Sequence, residues 1–179
     1  MPEASSDEAL MAMVADGDQR AFAQLVERHL PRAYAIARRV LSNQADAEDA
    51  AQEAFSKLWT HARDWQPARA SFSTWFYRIM VNASLDLARR HGARHELLDP
   101  QPELQSAYGQ AREAEAIQQA VQRLPEQQRM AVVLCYFEEH SNPQAAELMG
   151  LHPKALEGLL VRARKQLRNW LGKLREETA

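Results

Sequence analysis

Carboxylates and histidines are the side chains of this chain that could do chemistry, and their spacing argues against a catalytic or metal centre. A di-iron helical bundle needs Glu-x-x-His pairs, and none of the six histidines has an acid three residues before it. His91 and His95 lie four residues apart beside Glu96, but Gly92 is expected to end the helix there. Gly-rich phosphate loops, nucleophile elbows and Cys–His signatures are also missing from the sequence. We therefore expect no enzyme, no metal site and no cofactor.

Acidic and amide side chains concentrate at the start of one helical segment, Asp46 to about Arg63. Its apolar stripe repeats at helical spacing, at Ala47, Ala51, Ala54, Phe55, Leu58 and Ala62. Five acidic or amide residues occupy eight positions of the same segment: Asp46, Glu48, Asp49, Gln52 and Glu53. Early acid suits the positive end of a helix dipole, which is one explanation. An acidic docking face for a basic partner is the other explanation, because the cluster exceeds what capping needs.

A second helical segment, Ser71 to Arg90, interleaves cations and amides with aromatic rings. Its polar side carries Tyr77, Arg78, Asn82, Asp86, Arg89 and Arg90. Such a mixture suits single-stranded nucleic acid, where bases stack on rings and cations meet the backbone. Aromatic residues at helical spacing usually belong to a core, so the stacking candidates are Trp65, Trp75 and Tyr77.

The stretch from Leu124 to Arg168 has the pattern of a helix-turn-helix. Asn142 is placed to cap a short helix, and Gly150 supplies the turn before a helix that starts near Pro153. In the DNA-binding motif this second helix enters the major groove. Cations crowd it, at Lys154, Arg162, Arg164, Lys165, Arg168, Lys173 and Arg175. Two helices joined by a glycine turn also occur in bundles without a DNA role, so both interpretations stay open on this segment alone.

The whole chain predicts an all-α fold of two small helical domains joined by a flexible linker. Helical periodicity is lost in a segment that contains Pro100, Pro102 and Gly109. We predict an N-terminal helical domain over 1–92, a flexible linker over 93–110 and a C-terminal helix-turn-helix domain over 111–179. Within the first domain, Pro31 is expected to kink or break a helix.

Bulk composition describes an ordinary globular chain that would need help to bind DNA. The formal net charge is −2, whereas autonomous DNA-binding domains are usually strongly basic, because phosphate neutralisation supplies much of their affinity. Cys135 is the only cysteine, which fits a reducing cytoplasm. The acidic N-terminal stretch shows no signal peptide. We therefore expect a cytoplasmic protein that meets DNA together with another protein.

Motifs along the chain resemble, in order, those of bacterial RNA polymerase sigma factors of the extracytoplasmic-function type (ECF, group IV, sigma-70 family). DAEDAAQEAFSKLW (46–59) resembles the polymerase-binding helix of the family's first domain, and SFSTWFYRIMVNASLDLARR (71–90) resembles its promoter −10 element helix. The second domain, which reads the −35 element, is matched by LPEQQR (124–129), AAELMGL (145–151) and RARKQLR (162–168). The resemblance covers about residues 8 to 172. It implies a transcription initiation factor that binds core RNA polymerase, directs it to specific promoters and helps to melt the −10 element.

Position by position, the resemblance implies three functional surfaces. Core polymerase would be bound by Asp46, Glu48, Asp49, Gln52, Glu53 and Phe55. The −10 element would be held by Arg63, Trp75, Tyr77, Arg78, Asn82, Arg89 and Arg90. The −35 element would be met by Lys154, Arg162, Arg164, Lys165 and Arg168. The implied partners are core RNA polymerase, promoter DNA and a membrane-bound anti-sigma factor, and the chain would be a monomer when free of them.

The second helix of the helix-turn-helix departs from the family pattern. The family usually has a Thr-Val-Lys-Ser-Arg-like run where this chain has Ala155-Leu156-Glu157-Gly158-Leu159. Either −35 recognition relies on the flanking cations and on DNA shape, or this face mainly binds protein. In the second case we expect Leu156 and Leu159 to offer apolar contacts to an anti-sigma factor.

Two other functions remain as alternatives. A stand-alone helix-turn-helix regulator would bind duplex DNA without polymerase, which the net charge disfavours. A helical adaptor without DNA binding would leave the cations of the last helix unexplained.

Overall fold

A computed structural model describes residues 6–41, 43–95 and 110–177, with side chains described over 6–41, 43–90 and 116–172. Within these ranges the chain forms helices and no strand, which confirms the all-α prediction. The predicted linker falls mostly on residues 96–109, which lie outside the described ranges. The helices are α1 (Asp7–Ala15), α2 (Gln19–Val40), α3 (Gln44–Thr60), α4 (Phe72–His95), α5 (Gln110–Gln122), α6 (Glu126–Val132), α7 (Asn142–Met149) and α8 (Pro153–Glu177). A 3₁₀ turn at Ala62–Asp64 follows α3, and a π-helical turn at Val133–Phe137 follows α6.

The first domain is α1 to α4 around an apolar core. Asp18 and Asn43 begin α2 and α3 by accepting hydrogen bonds from backbone N–H groups of the first turn, as N-caps do. The largest fully buried side chains of this domain include Phe72, Phe76, Leu25, Ile36, Leu58 and Met80. Packing of these side chains stabilises the helices. Two expectations based on local sequence alone, a break at Pro31 and a helix end at Gly92, are therefore wrong.

Proline and glycine do not end helices where the sequence suggested. The predicted break at Pro31 is absent, because α2 runs without interruption from Gln19 to Val40. Pro31 is exposed, and buried residues before and after it anchor both halves of the helix. Helix α4 likewise continues past Gly92 to His95, since a helical glycine costs only about 1 kcal/mol relative to alanine.

The helix-turn-helix of the second domain forms from α7 and α8. Ser141 precedes α7, and the Gln144 Oε1 accepts from the Ser141 N at 3.0 Å, so Ser141 is the cap and the expected cap, Asn142, is the first helical residue. Gly150 ends α7 in the left-handed region, with φ 65°. The Leu151 N then donates to the Ala146 O at 2.8 Å, which closes the turn as in a glycine C-cap.

The two domains contact each other, and the contact includes the C-terminal end of α2. The carbonyl groups in the last turn of a helix lack partners within the helix. The Gln122 Nε2 donates to the Arg39 O at 2.9 Å, and the Arg129 guanidinium donates to the Val40 O. The second domain thus supplies donors and a positive charge to the negative end of a first-domain helix.

Candidate protein and nucleic-acid interfaces

An open apolar groove of about 700 Å³ lies between α2 and α3. Its walls are apolar: Phe22, Val26, Leu30, Tyr34, Ala51 and Phe55. Glu48, Gln52 and Ser56 of α3 line its polar side. We call this surface the α2–α3 groove. An apolar groove with an acidic residue at its edge can bind the apolar face of an amphipathic helix that carries basic residues beside its apolar stripe.

The predicted polymerase-binding residues have two different positions in the structure. Some are exposed or line the α2–α3 groove, and one stabilises the start of α3. Glu48, Asp49 and Gln52 are exposed, and Phe55 is buried at the groove wall. Asp46 is buried and accepts from the Asn43 Nδ2 at 2.8 Å, so its role in the described structure is to begin the helix. The helix-start explanation therefore applies to Asp46, and the docking face stays a prediction for the exposed members of the cluster.

Glu53 points away from the groove towards cations. Its carboxylate lies 2.7 Å from the Lys57 Nζ and 3.6 Å from the Arg90 Nη2. The second contact joins α3 to α4, which are the helices of the two predicted functional segments. Glu53 therefore connects the predicted polymerase-binding segment to the predicted DNA-binding segment.

Helix α4 presents a row of exposed polar side chains. Arg78, Asn82 and Arg89 follow one another at spacings of four and seven, which places them on one helix face. Arg89 and Arg90 are exposed too, with the Arg89 Nη1 3.3 Å from the Asp86 Oδ1. Two of the predicted −10 residues are held less freely: Trp75 is half-buried, and the Arg63 Nε donates to the Ala15 O at 2.9 Å.

On α8 the predicted −35 cations are all exposed, and most share one face. Lys154, Lys165 and Arg168 lie on this face, with the exposed Val161 between Lys154 and Lys165 at spacings of seven and four residues. Arg164 lies off this row and donates from its Nε to the Tyr136 Oη at 2.6 Å. The row gives the second domain a basic face that a phosphate backbone could meet.

Comparison with known proteins assigns the chain to a family. The family profile "Sigma-70 region 2" matches residues 25–94, and "Sigma-70, region 4" matches residues 114–167. The ECF RNA polymerase sigma factor SigE of Mycolicibacterium smegmatis is 36% identical over 190 residues, which covers 97% of this chain and 72% of that protein. The chain belongs to the ECF sigma factors. It is a transcription initiation factor.

Further relatives and solved structures agree with this assignment. The RNA polymerase sigma factor NccH of Alcaligenes xylosoxydans is 37% identical, covering 93% of this chain and 95% of that one. A solved structure of CnrH in complex with the cytosolic domain of CnrY superposes with a TM-score of 0.68 at 35% identity, covering 94% and 99% of the two chains. The sigma factor RpoE, solved with the anti-sigma factor NepR from Bartonella quintana, superposes at 0.64 with 21% identity over 84% of this chain and 96% of that one, which shows the fold alone.

Tyr77, a predicted base-stacking residue of the sigma factor, is buried in the described structure. Only 4% of it is exposed. The Arg32 guanidinium lies 4.9 Å from its ring centroid, and the His29 Nδ1 lies 3.3 Å from its Oη. Burial raises the pKa of Tyr77 to about 12, although the positive charge of Arg32 opposes the shift. In this arrangement the ring is not available to a nucleic-acid base.

We expect the Tyr77 hydroxyl to ionise well after an exposed tyrosine. Because its folded pKa lies above its usual 10.0, the stability that it contributes is fully present below about pH 10 and is lost as the pH rises towards about 12. A pKa shift of about two units corresponds to about 2–3 kcal/mol of folding free energy. A titration of tyrosinate absorbance should lose its latest transition in Tyr77→Phe. Loss of a transition near pH 10 in Tyr77→Phe would contradict the burial.

The apolar contact surface expected at Leu156 and Leu159 is not found. Leu156 is fully buried and Leu159 is 7% exposed, and both belong to the core. Leu156, Leu160 and Ala163 lie on the side of α8 that faces α6 and α7. Leu159 lies on the same side, so it is buried as well. Val161, with 62% exposed, is the apolar residue that this part of α8 presents to solvent.

The α2 wall of the α2–α3 groove was not predicted from the sequence. Phe22, Val26, Leu30 and Tyr34 repeat every fourth residue on α2. A separate stripe, which includes Leu25, Ala33, Ile36 and Val40, is buried in the core. Two apolar stripes on one helix were the available signal, since a single core contact needs only one.

Neither a metal arrangement nor a membrane span emerges from the part of the chain that the structure describes. No three His, Cys, Asp or Glu side chains of that part come together as metal ligands. The weak candidates His91, His95 and Glu96 lie outside the described side chains. No described helix combines the length and the apolar character needed to cross a bilayer.

Proposed function

We propose that this sigma factor binds core RNA polymerase through the α2–α3 groove. The observation that carries the proposal is the coincidence, on one surface, of an open apolar trough with Glu48 and Gln52 of the predicted polymerase-binding helix. An amphipathic helix of the polymerase with basic flanking residues would bury its apolar face there. The acidic edge would orient that helix and accelerate its association.

Promoter DNA would be engaged by the exposed faces of α4 and α8. The α4 row of Arg78, Asn82 and Arg89, with Arg90, would hold the non-template strand of the opened −10 element. Extracting a base costs a few kcal/mol, which contacts in a protein pocket must offset. Lys154, Arg162, Lys165 and Arg168 would meet the phosphates of the −35 element. The net charge of −2 supports recognition within the polymerase complex.

A reconstituted transcription assay tests this function directly. The purified chain is added to core polymerase and a library of promoter fragments, and specific run-off transcripts are measured. Failure to bind core, or to initiate at any promoter, would sink the proposal. A gel shift with the chain alone separates it from a stand-alone regulator, which would bind duplex DNA tightly without polymerase.

Asn82→Ala is expected to impair promoter opening while leaving core binding intact. Asn82 is exposed on α4, away from the α2–α3 groove, and its amide can hydrogen-bond an unpaired base. Loss of such contacts costs about 1–3 kcal/mol, so opening should fall about fivefold or more. Permanganate reactivity of unpaired thymines reports opening, and a core-binding titration provides the control. Normal permanganate reactivity with the Asn82→Ala variant would show that Asn82 does not contribute to promoter opening.

Control by an anti-sigma factor forms part of the same proposal. CnrH, solved with the cytosolic domain of CnrY, is 35% identical to this chain over nearly its whole length, which supports a comparable partner here. We place the free chain in the cytoplasm as a monomer, with an anti-sigma factor able to hold it at the inner membrane. Since Leu156 and Leu159 are buried, the α2–α3 groove is the better candidate for the contact.

A further inference from the structure

The second domain covers the first half of α4. A cleft of about 240 Å³ between the domains is lined on the α4 side by Ser73, Thr74 and Tyr77 and on the α7 side by Gln144 and Leu148. At the end of α7 the chain meets α4 again. A Cβ placed on Gly150 would lie 3.4 Å from the Arg78 Nη2, so the Arg78 side chain rests against the helix-turn-helix turn. Part of the proposed DNA surface is therefore occupied by the protein itself.

Glu138 connects the domains by ion pairs that reach α2. Its Oε2 accepts from the Arg32 Nε at 2.9 Å, and its Oε1 accepts from the Arg39 Nη1 at 3.1 Å. The Glu138 side chain is 9% exposed. Charge-assisted hydrogen bonds of this kind are stronger than neutral ones, and a buried carboxylate that lost both partners would be costly.

Surrounding contacts restrict where Glu138 can go. It follows the π-helical turn, and the next residue, Glu139, has a positive φ of 56°. The Arg39 guanidinium also lies 5.2 Å from the centroid of the Phe137 ring. Arg32 reaches towards the His140 Nε2 at 3.4 Å. The chain between α6 and α7 is thus shaped to hold one carboxylate between two arginines of the other domain.

We propose that this sigma factor is held closed by its own Glu138, which keeps the second domain on α4, and that release of Glu138 precedes engagement of the −10 strand. The second half of this statement rests on the proposed function. Because both domains belong to one chain, each is present to the other at a high effective concentration, so contacts too weak to join separate molecules can hold the closed form. We call the Glu138 contacts with Arg32 and Arg39 the latch.

Solution scattering of the full chain tests the latch without polymerase or DNA. A compact chain of this length has a radius of gyration of about 16 Å. Glu138→Lys places a third positive charge between Arg32 and Arg39 and should increase the radius of gyration, because the second domain then separates from α2 and α4. Glu139→Lys is the matched control, since it makes the same charge change at the exposed neighbouring residue and should stay compact.

A charge-reversed variant guards against simple loss of folding. Arg32→Glu with Arg39→Glu and Glu138→Lys restores attraction with opposite signs and should return the radius towards the wild-type value. Circular dichroism checks that helices are retained, and the milder Glu138→Gln replaces Glu138→Lys if they are not. A wild-type chain that is extended, or a folded Glu138 variant that stays compact, would overturn the latch.

The functional consequence has its own readout. With core polymerase in excess, Glu138→Lys should lower the concentration of chain needed for half-maximal run-off transcription by about fivefold or more, the range of ordinary coupling energies. If scattering shows that the Glu138→Lys chain is open but its concentration for half-maximal transcription is unchanged, the second half of the proposal is wrong. Failure of the wild type to bind core would instead sink the proposed function, and the scattering result would still decide the latch.

Discussion

Leu30→Asp is expected to lower the affinity of the chain for core polymerase about a hundredfold. Leu30 lines the α2–α3 groove and is 40% exposed, so a polar residue should be tolerated by the free protein. In the complex the new carboxylate would be covered by an apolar helix face without a partner. Burying an unpaired polar group costs about 1–3 kcal/mol, and 2.8 kcal/mol corresponds to about a hundredfold in affinity.

A matched substitution on another helix separates this effect from general destabilisation. Met13 of α1 is 43% exposed and does not line the groove. Met13→Asp should therefore bind core polymerase within about twofold of the wild type, as substitutions outside an interface usually do. Equilibrium titration of labelled chain with core polymerase measures both variants. Equal affinities for Leu30→Asp and Met13→Asp would show that the groove is not the polymerase-binding surface.

Local patterns in the sequence were sufficient for the helices and for the order of the functional segments. Caps, turns and apolar spacing act within a few residues, so Gly150 and the start of α8 at Pro153 could be predicted without knowing the neighbours. Pro31 and Gly92 show the limit of such rules. Both sit in helices that tertiary packing extends beyond a local break signal.

Contacts between distant parts of the chain could not be predicted in this way. Glu138 and Arg32 are 106 residues apart, and nothing in the spacing of either residue indicates the other. The same applies to Tyr77, whose ring looks like a stacking surface in the sequence and becomes buried once α2 and the second domain pack against α4. Leu159 was expected at the surface because of its unusual neighbours, whereas the register of α8 turns it inward.

Arg129→Ala is expected to reduce the free energy of unfolding by about 2–4 kcal/mol, because it removes several hydrogen bonds from one charged donor group. The Arg129 Nη1 donates to the Val40 O and, at 3.1 Å, to the Gln122 Oε1. Its Nη2 donates to the Leu124 O at 2.9 Å. Burial lowers the pKa of Arg129, which reflects the limited access of water to replace these bonds. Alanine would leave the carbonyl groups without donors.

Urea unfolding followed by circular dichroism measures this effect against a nearby arginine. Arg123 is exposed near the end of α5, and Arg123→Ala should stay within about 0.5 kcal/mol of the wild type. Arg129→Lys should recover part of the loss, since an ammonium can reach one acceptor but lacks the fork of a guanidinium. A loss below about 1 kcal/mol in Arg129→Ala would mean that water satisfies the exposed carbonyl groups.

Combining Arg129→Ala with Glu138→Lys tells which domain Arg129 stabilises. The Val40 O belongs to the first domain, whereas the Leu124 O and the Gln122 Oε1 belong to the second. If Glu138→Lys separates the domains, Arg129 has already lost the Val40 O in that background. The cost of Arg129→Ala should then be smaller than in the wild type, by the 0.5 kcal/mol or more that is typical of coupled sites. Additive losses would mean that Arg129 acts within the second domain alone, and that the end of α2 does not depend on it.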